Sequence, residues 1–485
     1  MEPSPTRTAH AKASSTPSPP TSTAILTATP TPQLPASPPP SVKPSVTSAA
    51  TEPPAPTKPP AAANPVIVYE STLTIQTYGY EDAFQPTGPE DAIYPYPRLD
   101  AALVAPAQPR VYKALVLEND YVAVTILPEL GGRTYCWVDK ISGRRLLYEN
   151  TVIKPTQWGY RGWWLAAGGI EWAFPVEEHG LNEWRPWAYG VLKTGSGASI
   201  TVSDTEDRSG MEVGVTISLD SASPVLVLQP WARNTTTSAH DYQYWINAML
   251  ALNENKVSKN TEFIIPASQV QIHSTGDGRL PGEWQWVSWP DYNGINLSLY
   301  GAWQGWLGFF APHLTAGFTA IYDRDVKQGV VRIITPGWPA GTKIFGPGTL
   351  PAWLWTDDDS NYVEFWSGAT ATFADYATLQ PGQTVSWTES WYPVHDLGSV
   401  STANAVGALY LAAGEGNLTL GAAVIRGEGR TLILWQNQSP VQTWELALGP
   451  GQTFNTTWAS GGSESVGLSL LDAEGNVMVQ TGYVN

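Results

Sequence analysis

An all-β fold of sandwich type is the architecture this sequence predicts, and three observations predict it. From about residue 110 onward, short runs of alternating, β-branched and aromatic residues recur. Gly, Pro, Asn and Asp punctuate them, with 44 glycines and 42 prolines in 485 residues. No stretch sustains the apolar period of a long helix.

In chain order, the first element is not a folded one. Residues 1–65 hold 18 of the 42 prolines, no Trp, and runs such as STPSPPTST and ASPPPSVKPS. Such a segment cannot bury enough apolar surface to offset its ordering entropy, so a disordered Pro/Ser/Thr-rich linker is expected. Strands then read out at YVAVTILP (121–128), MEVGVTISLD (211–220), VLVLQPWARN (225–234), GFTAIYDRD (317–325) and QTVSWTESWYPV (383–394). Residues 66–400 are expected to form one large β domain, since all-β domains exceed 200 residues readily. After WYPVHDLGSV the strands shorten and charges thin out. Residues 401–485, with GPGQ and AEGN turns suited to hairpins, are expected to form a small β-sandwich accessory domain.

Charge excludes some partners. Without Glu2, Glu52, Arg7, Lys12, Lys43 and Lys58 of the linker, 41 acids face 22 bases, a net charge of about −19. That argues against nucleic acid or an anionic membrane. Cys136 is the only cysteine, so neither a disulfide framework nor a cysteine metal site is expected. No apolar run is long enough to span a membrane. A Pro/Thr tether on an acidic β protein resembles the stalk of an exported or lipid-anchored protein. An extracellular or surface-tethered setting is therefore expected, with the signal sequence removed and any lipid anchor upstream of the linker. Oligomeric state is not legible.

All 23 tryptophans follow residue 65, several in loop-like contexts such as YRGWW (160–164) and WQWVSWP (284–290). Flat apolar faces beside polar groups suit a sugar ring. GxSxG, a phosphate-binding Gly-Lys-Ser/Thr loop, a dinucleotide fingerprint and HExxH are all missing, which leaves carboxylate chemistry, with carbohydrate as its natural substrate.

Four patches combine acids with aromatics. In GGIEWAFPVEEHG (168–180), a strand puts Ile170, Trp172 and Phe174 on one face and Glu171 on the other. Glu171 is then either a structural carboxylate paired with Arg161 or Arg185, or an acid lining a sugar cleft. In YVEFW, Glu364 shares its face with Tyr362 and Trp366, whose desolvation would raise its pKa. The preceding Asp357, Asp358 and Asp359 lack EF-hand spacing, so a solvated acidic turn is expected before calcium, and no cofactor or metal is assigned. HSTGDGRLPGEWQWVSWPDYNG (273–294) reads as a long functional loop with His273, Asp277, Glu283 and Asp291. YDRD (322–325) reads as a tight turn held by Asp323 and Asp325.

The series LPELGGRTYCWVDKISGRRLLYEN (127–150), VIKP (152–155), GGIEWAFP (168–175), YWINAM (244–249), YVEFWSG (362–368) and LQPGQTVSWTESWYPV (379–394) resembles a bacterial domain of unknown function, number 5107. That family is similar to the galactose mutarotase-like β-supersandwich of the aldose epimerases and of glycosidase sugar-binding domains. The resemblance implies that fold over roughly residues 66–400. It implies that Glu364 matches the epimerase glutamate that acts as base on the anomeric hydroxyl, and that His179 is the matching histidine after the GIE motif. The epimerase strand histidine is not matched; Trp245 and Asn247 stand in QYWINAM instead.

These readings converge on a carbohydrate-active protein in which Glu171, Glu364 and His179 are catalytic. Trp172, Trp245, Asn247, Trp286, Trp289, Tyr362, Trp366 and Arg161 would contact a sugar or polysaccharide. The chemistry expected is glycoside hydrolase-like, or a related lyase or epimerase step. The alternative is a non-catalytic, stalked carbohydrate-binding or cell-surface structural module.

Overall fold

Strands account for nearly all regular structure in the computed structural model, which describes residues 63–335, 337–459 and 465–482. The expected linker therefore lies outside the described residues as far as position 62. Among the described residues there is no α-helix, only four single-turn 3-10 segments, and so no helix long and apolar enough to cross a membrane. The alternating runs are strands: Val122–Leu127, Glu212–Asp220, Leu226–Arg233, Phe318–Asp323 and Glu389–His395. In Glu212–Asp220, Val213, Val215, Ile217 and Leu219 are buried while Glu212, Thr216, Ser218 and Asp220 keep partial exposure. Period two thus gives one dry face and one wet face.

Two large sheets, of 14 and 9 strands, form an all-β supersandwich. The principal core draws Leu117, Val124, Trp172, Ile246 and Phe365 from the first sheet and Ile200, Val215, Leu228 and Trp391 from the second. The core is therefore the layer between facing sheets. Beyond residue 400, two four-stranded sheets enclose a separate cluster that includes Leu409, Leu420, Leu434 and Leu468. A further cluster joins Tyr322, Val331 and Tyr392 to Ala408 and Ala423.

Seven strands of the larger sheet position the site. In chain order they are β1 (Arg133–Asp139), β2 (Ile170–Ala173), β3 (Trp245–Leu250), β4 (Gln269–Thr275), β5 (Leu307–Phe310), β6 (Gly341–Gly346) and β7 (Val363–Gly368). Across the sheet they run β4-β5-β6-β7-β3-β2-β1. Every residue of β2, β3 and β7 is buried, which is why these strands read as near-continuous apolar runs. The few polar residues inside them need partners or a ligand. The stretch 273–294, read from sequence as a loop, is largely an edge hairpin. Trp286–Ser288 pairs antiparallel with β4, because Trp and Val alternate there and the glycines fall in the turn.

Candidate functional site

One row of side chains crosses the larger sheet on the face turned away from the core. Register sets Glu171 on β2 beside Asn247 on β3, Asn247 beside Trp366 on β7, Trp366 beside Lys343 on β6, and Lys343 beside Phe310 on β5. Ile170, Trp172, Ile246, Phe365 and Ile344, their sequence neighbours, point the other way into the core. Two residues along β7, Glu364 lies on the same outer face. On the other side of the row the Trp245 indole lies across two glycines. A Cβ at Gly368 would fall 2.1 Å from Trp245 Cδ2, and one at Gly341 would fall 2.3 Å from its Cη2.

Glu171 is fully engaged. Its Oε1 accepts from Asn247 Nδ2 at 2.9 Å and meets His179 Nδ1 at 2.5 Å, while Oε2 accepts from Arg133 Nη2 at 3.0 Å. Burial by itself would raise this carboxyl. The charges of His179 and Arg133 and the bonds from His179 and Asn247 override it and hold the pKa at about 2. Gly169 makes this close approach possible: at φ +76, a Cβ there would lie 2.3 Å from Thr134 O.

His179 is turned onto the outer face by a tight turn in which Glu178 (φ 58) and Gly180 (φ 65) are both left-handed. Its ring stacks on Trp164 with centroids 3.7 Å apart and 8° between planes, and its edge meets Trp366 at 5.8 Å. Burial opposes the imidazolium, but Glu171, and less strongly Glu364 and Glu178, raise its pKa above the usual value. Nδ1 is committed to Glu171. Nε2 makes no hydrogen bond among the described residues and is not sealed from solvent.

Glu364 has the same division of labour. Oε2 accepts the Trp366 indole N–H at 2.8 Å and lies 3.9 Å from Lys343 Nζ, while Oε1 makes no hydrogen bond among the described residues. Burial pushes this carboxyl up, against Lys343 and His179. Lys343 Nζ sits 4.6 Å from the Trp366 ring centroid, 4.7 Å from that of Phe373 and 5.4 Å from that of Phe345. His273 stands edge-on to Phe310 and Phe373, and burial, with Lys343 beside it, drives its pKa well below the ordinary range. The Cα atoms of Glu171 and Glu364 are separated by two strand spacings and two residues, about 12 Å. His179 feels both carboxylates.

The structure brings Glu171, His179, Glu364, Asn247, Trp245 and Trp366 together. Other sequence assignments need correction. Trp172 and Trp289 are core residues between the sheets, with their N–H groups given to Gly132 O and Ile265 O, so neither offers a face to a ligand. Arg161 does not pair with Glu171: it is sealed against Glu183 at 2.5 Å and Leu181 O, and it stacks on Trp163. Arg185 binds Asp204 and Asp207, and Arg133 takes the place expected of both arginines. Tyr362 is 2% exposed and stacks on Tyr148 in the cluster that also holds Trp164. Trp286 lies apart, 42% exposed and stacked on His313. Asp277 is consumed by Arg279 and the Gln304 N–H, whereas Asp357 and Asp358 lie in an exposed acidic turn, as expected, bonded to Lys154 and Tyr78 and to Thr151, Thr356 and Ser360. Among the described residues no group of three or more His, Cys, Asp or Glu is arranged to hold a metal.

Sequence reasoning missed Arg133 and Lys343, and reached Trp164 only as part of the aromatic stretch YRGWW. Lys343 had a local signal: in GTKIFG it is a lone charge inside an apolar strand.

The sequence profile of the domain-of-unknown-function family DUF5107 matches residues 89–394. The chain belongs to that family. All of the catalytic candidates of this DUF5107 protein fall inside the matched span. A TPR-domain containing protein from Parabacteroides distasonis is similar at 25% identity and a TM-score of 0.60, over 71% of this chain and 58% of that one. The DUF5107 chain thus spans less than two thirds of that relative's length. A galactose mutarotase-like protein from Clostridium acetobutylicum is similar at 13% identity and a TM-score of 0.43, over 59% of this chain and 96% of that one. A galactose mutarotase related enzyme from Lactobacillus acidophilus is similar at 12% and 0.41, over 58% and 97%.

Proposed function

We propose that this DUF5107 protein binds a saccharide on the outer face of the larger sheet and exchanges protons with its anomeric centre through Glu364 and His179. One observation carries the reading. Each of the two residues has one polar atom fixed by the protein and the other without a hydrogen bond among the described residues: Glu364 Oε1 and His179 Nε2. A raised carboxyl is a better base near neutrality, and a raised imidazolium is an acid still protonated there. In this scheme Glu364 takes the proton of the anomeric hydroxyl while His179 gives one to the ring oxygen. The ring opens and recloses on either face. Trp164 and Trp366 supply apolar walls, and Glu171 positions His179.

A two-carboxylate glycosidase built on Glu171 and Glu364 is less well supported. Glu171 already accepts three donors and is held at about 2, so it has neither a proton to give near neutrality nor basicity to spare. The Pro/Ser/Thr-rich composition of residues 1–65 supports a surface-tethered, extracellular setting.

The test is polarimetry and NMR of single-anomer sugars with the full chain, alongside mass spectrometry of incubated oligosaccharides. Accelerated anomer exchange that is lost in Glu364→Gln supports the reading. Shortened oligosaccharides would replace it with hydrolysis, and retention on glycans with neither reaction would replace it with a binding module.

A further inference from the structure

Lys343 is the one group in the row whose charge the proton-transfer scheme leaves unused. Its side chain is 3% exposed, yet its ammonium makes no hydrogen bond among the described residues. The nearest carboxylate oxygen is 3.9 Å away and already accepts from the Trp366 indole. An ammonium has three donors and no acceptor, and removing it from water without acceptors is costly. Three aromatic faces at 4.6, 4.7 and 5.4 Å hold the cation but satisfy none of its N–H groups. Lys343 lies on the outer face of the sheet, in the row between Trp366 and Phe310.

Three cations of the cluster, Lys343, Arg133 and His179, face three carboxylates, Glu171, Glu364 and Glu178, of which Glu178 alone is partly exposed. Glu171 is shared between two cations, Arg133 and His179, so their positive charge exceeds its negative one. Among the described residues Glu364 is the one carboxylate within ion-pair distance of Lys343, and His273 beside them stays neutral. Glu178 is the third carboxylate acting on Lys343 and His179, beside Glu364 and Glu171. It sits partly exposed on the turn, with an oxygen 3.8 Å from the position of a Gly159 Cβ, where solvent screens it. A neutral sugar could be gripped by amides and hydroxyls. A buried ammonium is the group that would discriminate for charge, because a ligand without an anion leaves it unpaired.

Building on the sugar site proposed above, we infer that the ligand is an acidic sugar, a uronic acid whose carboxylate seats on Lys343 Nζ while its anomeric centre lies between Glu364 and His179. The carboxylate completes the ammonium's hydrogen bonds, and the ring stacks in the aromatic walls.

The experiment is titration calorimetry of the wild-type full chain with galacturonate and glucuronate, as monosaccharides and short oligomers, against carboxyl-reduced counterparts of the same length. Lys343→Met is measured beside it. Uronates are expected to bind roughly tenfold to a hundredfold more tightly than the neutral sugars, the usual size of a charge-assisted contact. That preference should disappear in Lys343→Met. The wild-type comparison stands even if the variant does not fold. Neutral sugars binding as tightly as uronates would overturn the inference and leave the sugar site standing. Binding of neither class would overturn the site and the inference together.

Discussion

His179 Nδ1 lies 2.5 Å from Glu171 Oε1, with the imidazole plane 8° from the Trp164 indole beneath it. The contact fixes which nitrogen faces the protein and which faces outward. It also fixes how the site responds to mutation and pH.

Glu171→Gln should destabilise the fold by about 3–5 kcal/mol, because it leaves Arg133 and His179 buried without their counter-charge. Chemical unfolding measures this. The same variant should lower the His179 pKa, readable in an NMR titration of the ring. An unchanged pKa would mean that Glu171 does not hold the imidazolium.

The pair sets a pH window for stability. Glu171 is depressed from 4.5 to about 2, so its contribution is full above about 4.5 and lost as pH falls toward 2. His179 is raised from 6.5, so its contribution is full below about 6.5 and lost as pH climbs through the higher folded value. The stability difference between wild type and His179→Gln should therefore be greatest between about 4.5 and 6.5 and shrink on either side. A difference independent of pH would remove the ion pair from consideration.

Glu364→Gln should lower turnover at least about a hundredfold with the fold intact, since a Gln oxygen can still accept from the Trp366 indole. In the wild type, the acid limb of kcat/KM should lie above 4.5 and the alkaline limb above 6.5, as both groups are raised. Loss of the alkaline limb in a His179 variant with residual activity would assign it. Full activity in Glu364→Gln would sink the proposed chemistry.

Gly368→Ala tests packing beneath the site. The added methyl would fall 2.1 Å from the Trp245 ring, which is itself fully buried, so the cost should reach the upper end of about 1–3 kcal/mol for overpacking. A melting temperature equal to wild type would show that the indole can move aside.

Trp286→Ala should change stability by no more than about 0.5 kcal/mol, as the side chain is 42% exposed and stacked only on His313. If the edge hairpin holds the remote part of a polysaccharide, retention on that polymer should fall while turnover of a short sugar is unaffected. Equal retention would confine binding to the sheet face.

The alternating runs and their Gly/Pro punctuation determined the all-β class, because side-chain period and turn chemistry are local properties. For the same reason, the sequence placed Glu171 opposite Trp172 and put Glu364 with Trp366, as one strand settles which face each residue takes. Which arginine meets Glu171 was not legible. Arg161 and Arg185 are nearer in sequence, yet Arg133, 38 positions away, is the partner, because β1 and β2 pair in the sheet. Lys343 and Trp164 entered the site the same way, through strand order and through the stacking of Trp164 on His179. Trp172 and Trp289 resembled sugar platforms by composition, but a Trp ring serves a core as well as a ligand, and only sheet-on-sheet packing separated the two uses. The sequence determined the residues and their faces. Their partners, and hence the charge each carries, were decided by pairings between strands far apart in the chain.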